Sequence, residues 1–298
     1  MHTGRQAGFA VIPGDQAVDQ ALDALVEHLE IRQVYEPNSH TALCLFGLEE
    51  DVVIEALGKY LVGLLAGIVQ TNLKLSAVML AQTPAGRAQL LGTVEALLQP
   101  TVDATDEAIR VFDANVRDPW IAEAIGHALL AVRGRADTEC LNGQVAAMTV
   151  PHPQPSQQGL DLFAIYDDGG LPAMALGEVK ATRANGSARL TQAIAFFRTV
   201  EDGDRDVDIL MQVTLLREAL EPALEQGLSA SFWHDRACYL PVIAHGDDVD
   251  MSAERPLLAA IDRAASHKRV IHCRPDAYTD FFDAVAAAMV RAVDTITP

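Results

Sequence analysis

Apolar positions in the first third of the chain mostly recur every three or four residues. Ala21, Leu22, Leu25 and Leu29 place one apolar stripe on a helix over residues 17–31. Glu49, Glu50 and Asp51 open the next helix, because acids in a first turn complement the positive end of the helix dipole, and its pattern continues to about Thr71. Helical spacing returns over residues 85–98 and 106–116, and a short apolar run at residues 41–46 suits a strand. Asp118-Pro119 reads as a boundary. Asp caps helices and Pro suits a first turn, so a new helix is expected over residues 119–132.

After that boundary strands alternate with helices. Strands are expected at residues 144–150, 159–166, 174–180, 237–244 and 269–272, with a polar loop at 151–158 and a buried strand at 208–214. Helices are expected at 190–200, 216–224 and 276–295. The fold class that follows is α/β, a mixed central sheet flanked by helices, preceded by a mostly helical N-terminal region. The expected division is therefore residues 1–118, a partner-binding or regulatory region, and residues 119–298, a catalytic domain.

Composition narrows the setting. Half of the 298 residues are apolar, yet the longest apolar run, at residues 60–69, contains two glycines and is too short to cross a bilayer. The first residues lack the basic and apolar stretches of a signal peptide, so the expected location is cytoplasmic, with no membrane partner. Cys44, Cys140, Cys238 and Cys273 are widely spaced, which favours reduced, buried thiols over a disulfide framework.

The formal charge of −19 is unusual for a protein that handles nucleic acid, whose phosphates attract basic surfaces. Its distribution is uneven. Residues 1–118 carry 16 acids against 7 bases and residues 201–298 carry 18 against 9, whereas residues 119–200 carry 7 against 6. Such an envelope disfavours tight autonomous binding to DNA and suggests that a partner delivers the strand.

The nearly neutral segment holds the candidate chemistry. Asp161 lies at the start of one apolar strand, and Glu178-Val179-Lys180 lies near the end of the next, with Asp167, Asp168, Gly169 and Gly170 between them as turn residues. Side chains two apart emerge on one face of a strand, so Glu178 and Lys180 point the same way. Hard divalent cations such as Mg²⁺ take carboxylate and carbonyl oxygens. Asp161, Glu178 and the Val179 carbonyl are thus candidate metal ligands, with Lys180 facing the attacking water or the scissile phosphate. Lysine is scarce here, four residues against 18 arginines, so its appearance two residues after a strand glutamate carries weight. The competing reading of Glu178 and Lys180 is a structural ion pair at a strand end.

A helix with Glu123, then strands bearing Asp161 and Glu178-Val179-Lys180, then a helix with Gln192, resembles the PD-(D/E)XK superfamily of restriction-endonuclease-like nucleases. The resemblance covers roughly residues 119–214. Leu160 stands where the naming proline would precede Asp161. The resemblance implies a Mg²⁺- or Mn²⁺-dependent (deoxyribo)nuclease, with Asp161, Glu178 and Lys180 catalytic and Glu123 as a third carboxylate. Some branches carry Gln-x-x-x-Tyr on the following helix. Phe196 replaces that tyrosine, so only Gln192 carries over. More finely, the Gly-Leu-Asp of the Asp161 strand and the Leu-Gly-Glu-Val-Lys-Ala of the Glu178 strand are similar to the nuclease subunit of the Hachiman anti-phage defence system. That implies a DNA-degrading bacterial effector acting with a helicase (ATPase) subunit.

Other features are set against plainer readings. Thr182, Arg183, Arg189 and Arg198 have the chemistry to bind phosphates or to be solvated surface groups. His127, one turn after Glu123, reads as a satisfied core or surface histidine. The acids from Glu201 to Asp208 alternate as in a calcium loop but lack its glycine and terminal glutamate, and read as a solvated turn. His234 with Cys238, and His272 with Cys273, match no zinc-finger spacing. P-loop, nucleophile-elbow and dinucleotide fingerprints do not occur. The competing function is a non-catalytic, nuclease-like adaptor or regulatory module whose acidic flanks bind a partner.

Overall fold

The computed structural model describes residues 12–67, 84–100, 104–151, 159–229 and 231–297. Strand β1 (Ile12–Pro13) leads into helix α1 (Gly14–His28), strands β2 (Glu30–Tyr35) and β3 (Thr41–Phe46), and helices α2 (Asp51–Leu65), α3 (Pro84–Leu98) and α4 (Asp106–Phe112). A π-helical turn (Asp113–Arg117) joins α4 to α5 (Asp118–Arg133). Then come β4 (Gln144–Met148), β5 (Leu162–Asp167), β6 (Pro172–Thr182), α6 (Gly186–Glu201) and α7 (Asp206–Leu216). The short helices α8 (Pro222–Gln226) and α9 (Trp233–Arg236) precede β7 (Ala237–His245), α10 (Pro256–Ala259), β8 (Arg269–Cys273), α11 (Tyr278–Thr295) and β9 (Ile296–Thr297).

Seven strands form one mixed sheet in the order β2-β3-β8-β7-β6-β5-β4. The centre, β3-β8-β7-β6, is parallel, and antiparallel pairs close it at both edges. Strands β7 and β8 are buried along their whole length: β7 carries the continuous apolar run at residues 237–244, whereas β8 buries Arg269 and His272 beside Val270 and Ile271. β1 and β9 pair in parallel as a separate two-stranded sheet. The α/β class with a mixed sheet flanked by helices is therefore observed. Strands β2 and β3, from the segment before Pro119, belong to the same sheet as the motif strands, and α2 packs on α11 at the other end of the chain.

Helices α5 and α6 cover opposite faces of β6. Gly126 of α5 comes so close to the sheet that an added Cβ would lie 2.8 Å from Leu162 Cδ1 and 3.4 Å from Val179 Cγ2. On the other face Phe197 of α6 stacks on Tyr239 of β7 with ring centroids 4.7 Å apart, both rings fully buried. Burial of such a ring contributes roughly 2–3 kcal/mol.

Several expectations are corrected. The apolar run at residues 208–214 forms helix α7, not a buried strand. Only Ile209, Val213 and Leu216 are buried, at spacings of four and three, while Leu210, Met211 and Leu215 face outward. A short apolar run does not distinguish the two periods, and Asp206 and Asp208 in the first turn favour the helix. Residues 216–224 form a 3₁₀ turn (Arg217–Ala219) and α8 in place of one helix. The first helix ends at His28, and Ile31 belongs to β2, an edge strand with one side in water.

The expected break at Asp118-Pro119 is absent. Helix α4 runs through the π-turn into α5, and the Asp118 N–H bonds the carbonyl of Asp113, five residues back. The wider turn carries the chain past Pro119, which has no N–H to donate. Asp118 does not cap. Its carboxylate accepts from Arg117 Nε at 2.9 Å, and Arg117 also pairs with Asp113 (3.2 Å) and with Asp283 of α11 (2.8 Å). The end of the second helix near Thr71 and most of the 151–158 loop lie outside the described residues.

Candidate active site

The β5–β6 hairpin sets the site. Its turn uses Gly169 (φ +66°) and Gly170 (φ +88°), and the Gly170 N–H donates to Asp167 Oδ1. The antiparallel register pairs Leu162 with Gly177, so Asp161 and Glu178 come opposite one another where the ladder ends. Gly177 is required there: a Cβ would lie 2.7 Å from both Cβ and Cδ1 of Leu162. Leu162 is thus wedged between Gly177 and Gly126, which draws α5 and its Glu123 close to the hairpin.

Asp161 Oδ2 accepts the Val179 N–H at 2.7 Å, which aims the carboxylate across the strand end. Glu178 Oε1 is bonded by Lys180 Nζ. Glu178 Oε2 is buried and, among the described residues, has no hydrogen-bond partner. Glu178 and Glu123 are 8% and 7% exposed, so this negative charge sits in a largely dry environment. Burial, and then the charges of Glu178 and Glu123, push the Asp161 carboxyl up to about 7 against the opposing pull of the Val179 N–H and Lys180. Burial likewise raises Glu178, with Lys180 as the main opposing influence and Glu123 adding to the rise. The structure therefore brings Asp161, Glu178, Val179 and Lys180 together, and Glu123 lies near enough for its charge to act on both carboxyls.

Arg205, read in the sequence only as part of a solvated acidic turn, belongs to the surroundings of the site. Its guanidinium lies 5.2 Å above the Phe196 ring and pairs with Asp208 at 3.2 Å, and its charge lowers the Glu178 carboxyl. No local pattern marks this role, because the α6–α7 turn that carries Arg205 is folded back by tertiary packing. Gln192 is exposed, and its Oε1 accepts from Arg189 Nη1 at 3.0 Å. It is engaged by Arg189 and not by the carboxylates.

The plainer readings of the other groups agree with their contacts. His127 is buried, with Nδ1 2.7 Å from the Tyr60 hydroxyl and Nε2 2.8 Å from the Thr149 carbonyl. A carbonyl only accepts, so Nε2 bears the proton and Nδ1 accepts from Tyr60. Burial holds this imidazole neutral, lowered to about 3. Glu201 is taken by Tyr239 and Arg263, and Asp206 by Trp233 and His234, so the alternating acids are engaged by α9 and its neighbours. His272 Nδ1 lies 3.1 Å from His245 Nε2, and all four cysteines are free and buried.

Among the described residues no group of three or more His, Cys, Asp or Glu side chains is placed to hold a metal ion. A Mg²⁺ ion does not need one. It keeps several waters and is held by one or two carboxylates together with substrate phosphates. Asp161 and Glu178 would supply two such carboxylates, and Glu178 Oε2, beside the raised Asp161 carboxyl, is a donor that a cation would satisfy. The residues present fit a divalent ion. Compared with known proteins, the chain matches no family model and no curated protein. No helix among the described residues is long and apolar enough to cross a membrane.

Proposed function

We propose that this protein is a metal-dependent nuclease that hydrolyses phosphodiester bonds of DNA. The observation that carries the reading is the buried, unpartnered Glu178 Oε2 beside Asp161, on a strand whose next inward-facing residue is Lys180. The chain order α5, the β4-β5-β6 meander and α6 supports it, since the resemblance implies that order. Mg²⁺ or Mn²⁺, when bound, supplies Lewis-acid polarisation of the phosphoryl oxygens and a water of lowered pKa. Asp161, Glu178 and the Val179 carbonyl would hold the ion. Lys180 releases Glu178 to orient the attacking water or to neutralise charge developing on the phosphate. Glu123 contributes a third negative group from α5, and Gln192 positions Arg189.

Removing one such charged donor costs on the order of 10²–10³ in rate. Glu178→Ala and Lys180→Ala are each expected to abolish Mg²⁺-dependent DNA cleavage with an unchanged circular dichroism spectrum. Retained cleavage in either purified variant refutes the assignment. The reading extends to an effector subunit of a bacterial anti-phage defence complex, in which a helicase partner delivers the strand. The net charge of −19 supports that dependence. Cleavage that rises on adding a helicase subunit co-purified with the protein tests it, and equal cleavage without the helicase removes it.

One observation favours the adaptor reading. Val207, Met211 and Leu215 of α7 are 73%, 58% and 69% exposed on one helix face, an apolar stripe open to a partner. Absence of Mn²⁺ binding and of cleavage, with the partner present, decides for the adaptor.

A further inference from the structure

Beyond the carboxylates, a cleft of about 310 Å³ opens where the π-turn, the start of α5, the β6–α6 connection and Tyr278 of α11 meet. Three arginines from separate parts of the chain line it: Arg110 of α4, Arg183 three residues after Lys180, and Arg189 of α6. Arg183 is exposed and forms no ion pair among the described residues. Among the described residues Arg189 is held only by the neutral Gln192 amide, and Arg110 pairs with the exposed Glu107 at 2.9 Å. The acids in the wall, Asp113 and Asp118, are already bonded to the buried Arg117. Three arginines stand against two aspartates in the lining, so the wall carries a net positive charge of one, in a chain whose net charge is −19.

The anion that this cleft accepts is not supplied from within. The first N–H of α6, on Gly186, points away to the Asp247 carboxylate at 2.9 Å, so that helix end is already satisfied. What remains are planar guanidinium forks, the donor geometry that matches phosphate oxygens. Two of them, Arg183 and Arg189, follow the candidate site directly along the chain, and Arg110 reaches them from the N-terminal segment.

We infer that this cleft is a phosphate-binding subsite, which grips a polynucleotide strand on the flank of the carboxylate site. The strand's path past Lys180 rests on the nuclease reading, but binding itself requires no hydrolysis. The test uses the full-length protein in EDTA, with fluorescence anisotropy of labelled single-stranded and duplex DNA across a NaCl series. Each lost phosphate contact reduces the log–log salt slope by about 0.7–0.9. The Arg183→Gln/Arg189→Gln double variant is expected to bind DNA on the order of 10-fold or more weakly, with a slope lower by about 1–2. Its Mn²⁺ affinity should match that of the wild type, and Arg183→Lys should recover part of the loss. An unchanged affinity and slope, or no DNA binding by the wild type, overturns the inference. So does a cleft that takes inorganic phosphate in an arginine-dependent way while DNA binding ignores the arginines. Arginine-dependent DNA binding without cleavage under Mg²⁺ or Mn²⁺ leaves the subsite standing and removes the nuclease reading alone.

Discussion

Replacing Asp161 by Asn should make the metal-free protein more stable at alkaline pH. The carboxyl is held at about 7 in the folded chain against an ordinary value of 3.8. Between those two values the native state keeps a proton that the unfolded chain has released. Stability therefore falls as pH rises through that window, and the full penalty is present above it. At about 1.4 kcal/mol per unit, the gap sets a ceiling of about 4 kcal/mol. Part of this is shared with Glu178 and Glu123, so a gain of about 1–3 kcal/mol is expected, or roughly 2–6 °C in Tm. An Asn amide oxygen retains the acceptor for the Val179 N–H, so the substitution removes charge without orphaning the backbone donor. The assay is urea and thermal unfolding in EDTA at pH 8 and pH 4.5. The variant should exceed the wild type at pH 8 and approach it at pH 4.5, and added Mn²⁺ should stabilise only the wild type. A variant that is equal or less stable at pH 8 refutes the view of Asp161 as a charge kept for a cation.

Gly177→Ala forces a methyl against Leu162 and is expected to cost about 1–3 kcal/mol in urea unfolding, with loss of Mn²⁺ binding as Glu178 shifts. Tyr60→Phe leaves His127 Nδ1 buried without a donor, at about 1–2 kcal/mol by the same measurement. Because His127 and His272 are both lowered to about 3 from 6.5, the stability they hold is intact above pH 6.5 and drains on acidification. Each contributes up to about 1.4 kcal/mol per pH unit, opposite in sign to Asp161, and urea midpoints at pH 7, 5.5 and 4.5 should fall. Val207→Asn and Leu215→Gln, on the exposed stripe of α7, should change stability by less than about 0.5 kcal/mol.

The residues of the candidate site were legible because their signals are local. Asp161, the Asp-Asp-Gly-Gly turn and Glu178-Val179-Lys180 form one hairpin, so strand period and turn chemistry alone bring the carboxylates together. Glu123 was legible in kind, as an acid early in the helix before the sheet, but its approach depends on Gly126 and Gly177 closing on Leu162. Arg205 was not legible, and of the cleft arginines Arg183 and Arg189 were legible as phosphate-binding chemistry but Arg110 and their meeting in one cleft were not. Arg110, Arg183 and Arg189 lie up to 79 positions apart, and only the packing of α4, α6 and α11 around β6 gives them a common wall.

The sequence by itself determined most strands and most helices, the reduced cysteines and the chemical character of the hairpin, because each follows from periodicity, turn residues and burial over a few neighbouring positions. Only the tertiary structure decided that α4 runs unbroken into α5 through a π-turn, that β2 and β3 complete the same sheet, and that residues 208–214 coil into a helix with an open apolar face. It also decided that one oxygen of Glu178 is left buried without a partner. Those outcomes depend on which distant surfaces compete to cover an apolar run or to satisfy a polar atom, and that competition is settled by packing across the whole chain.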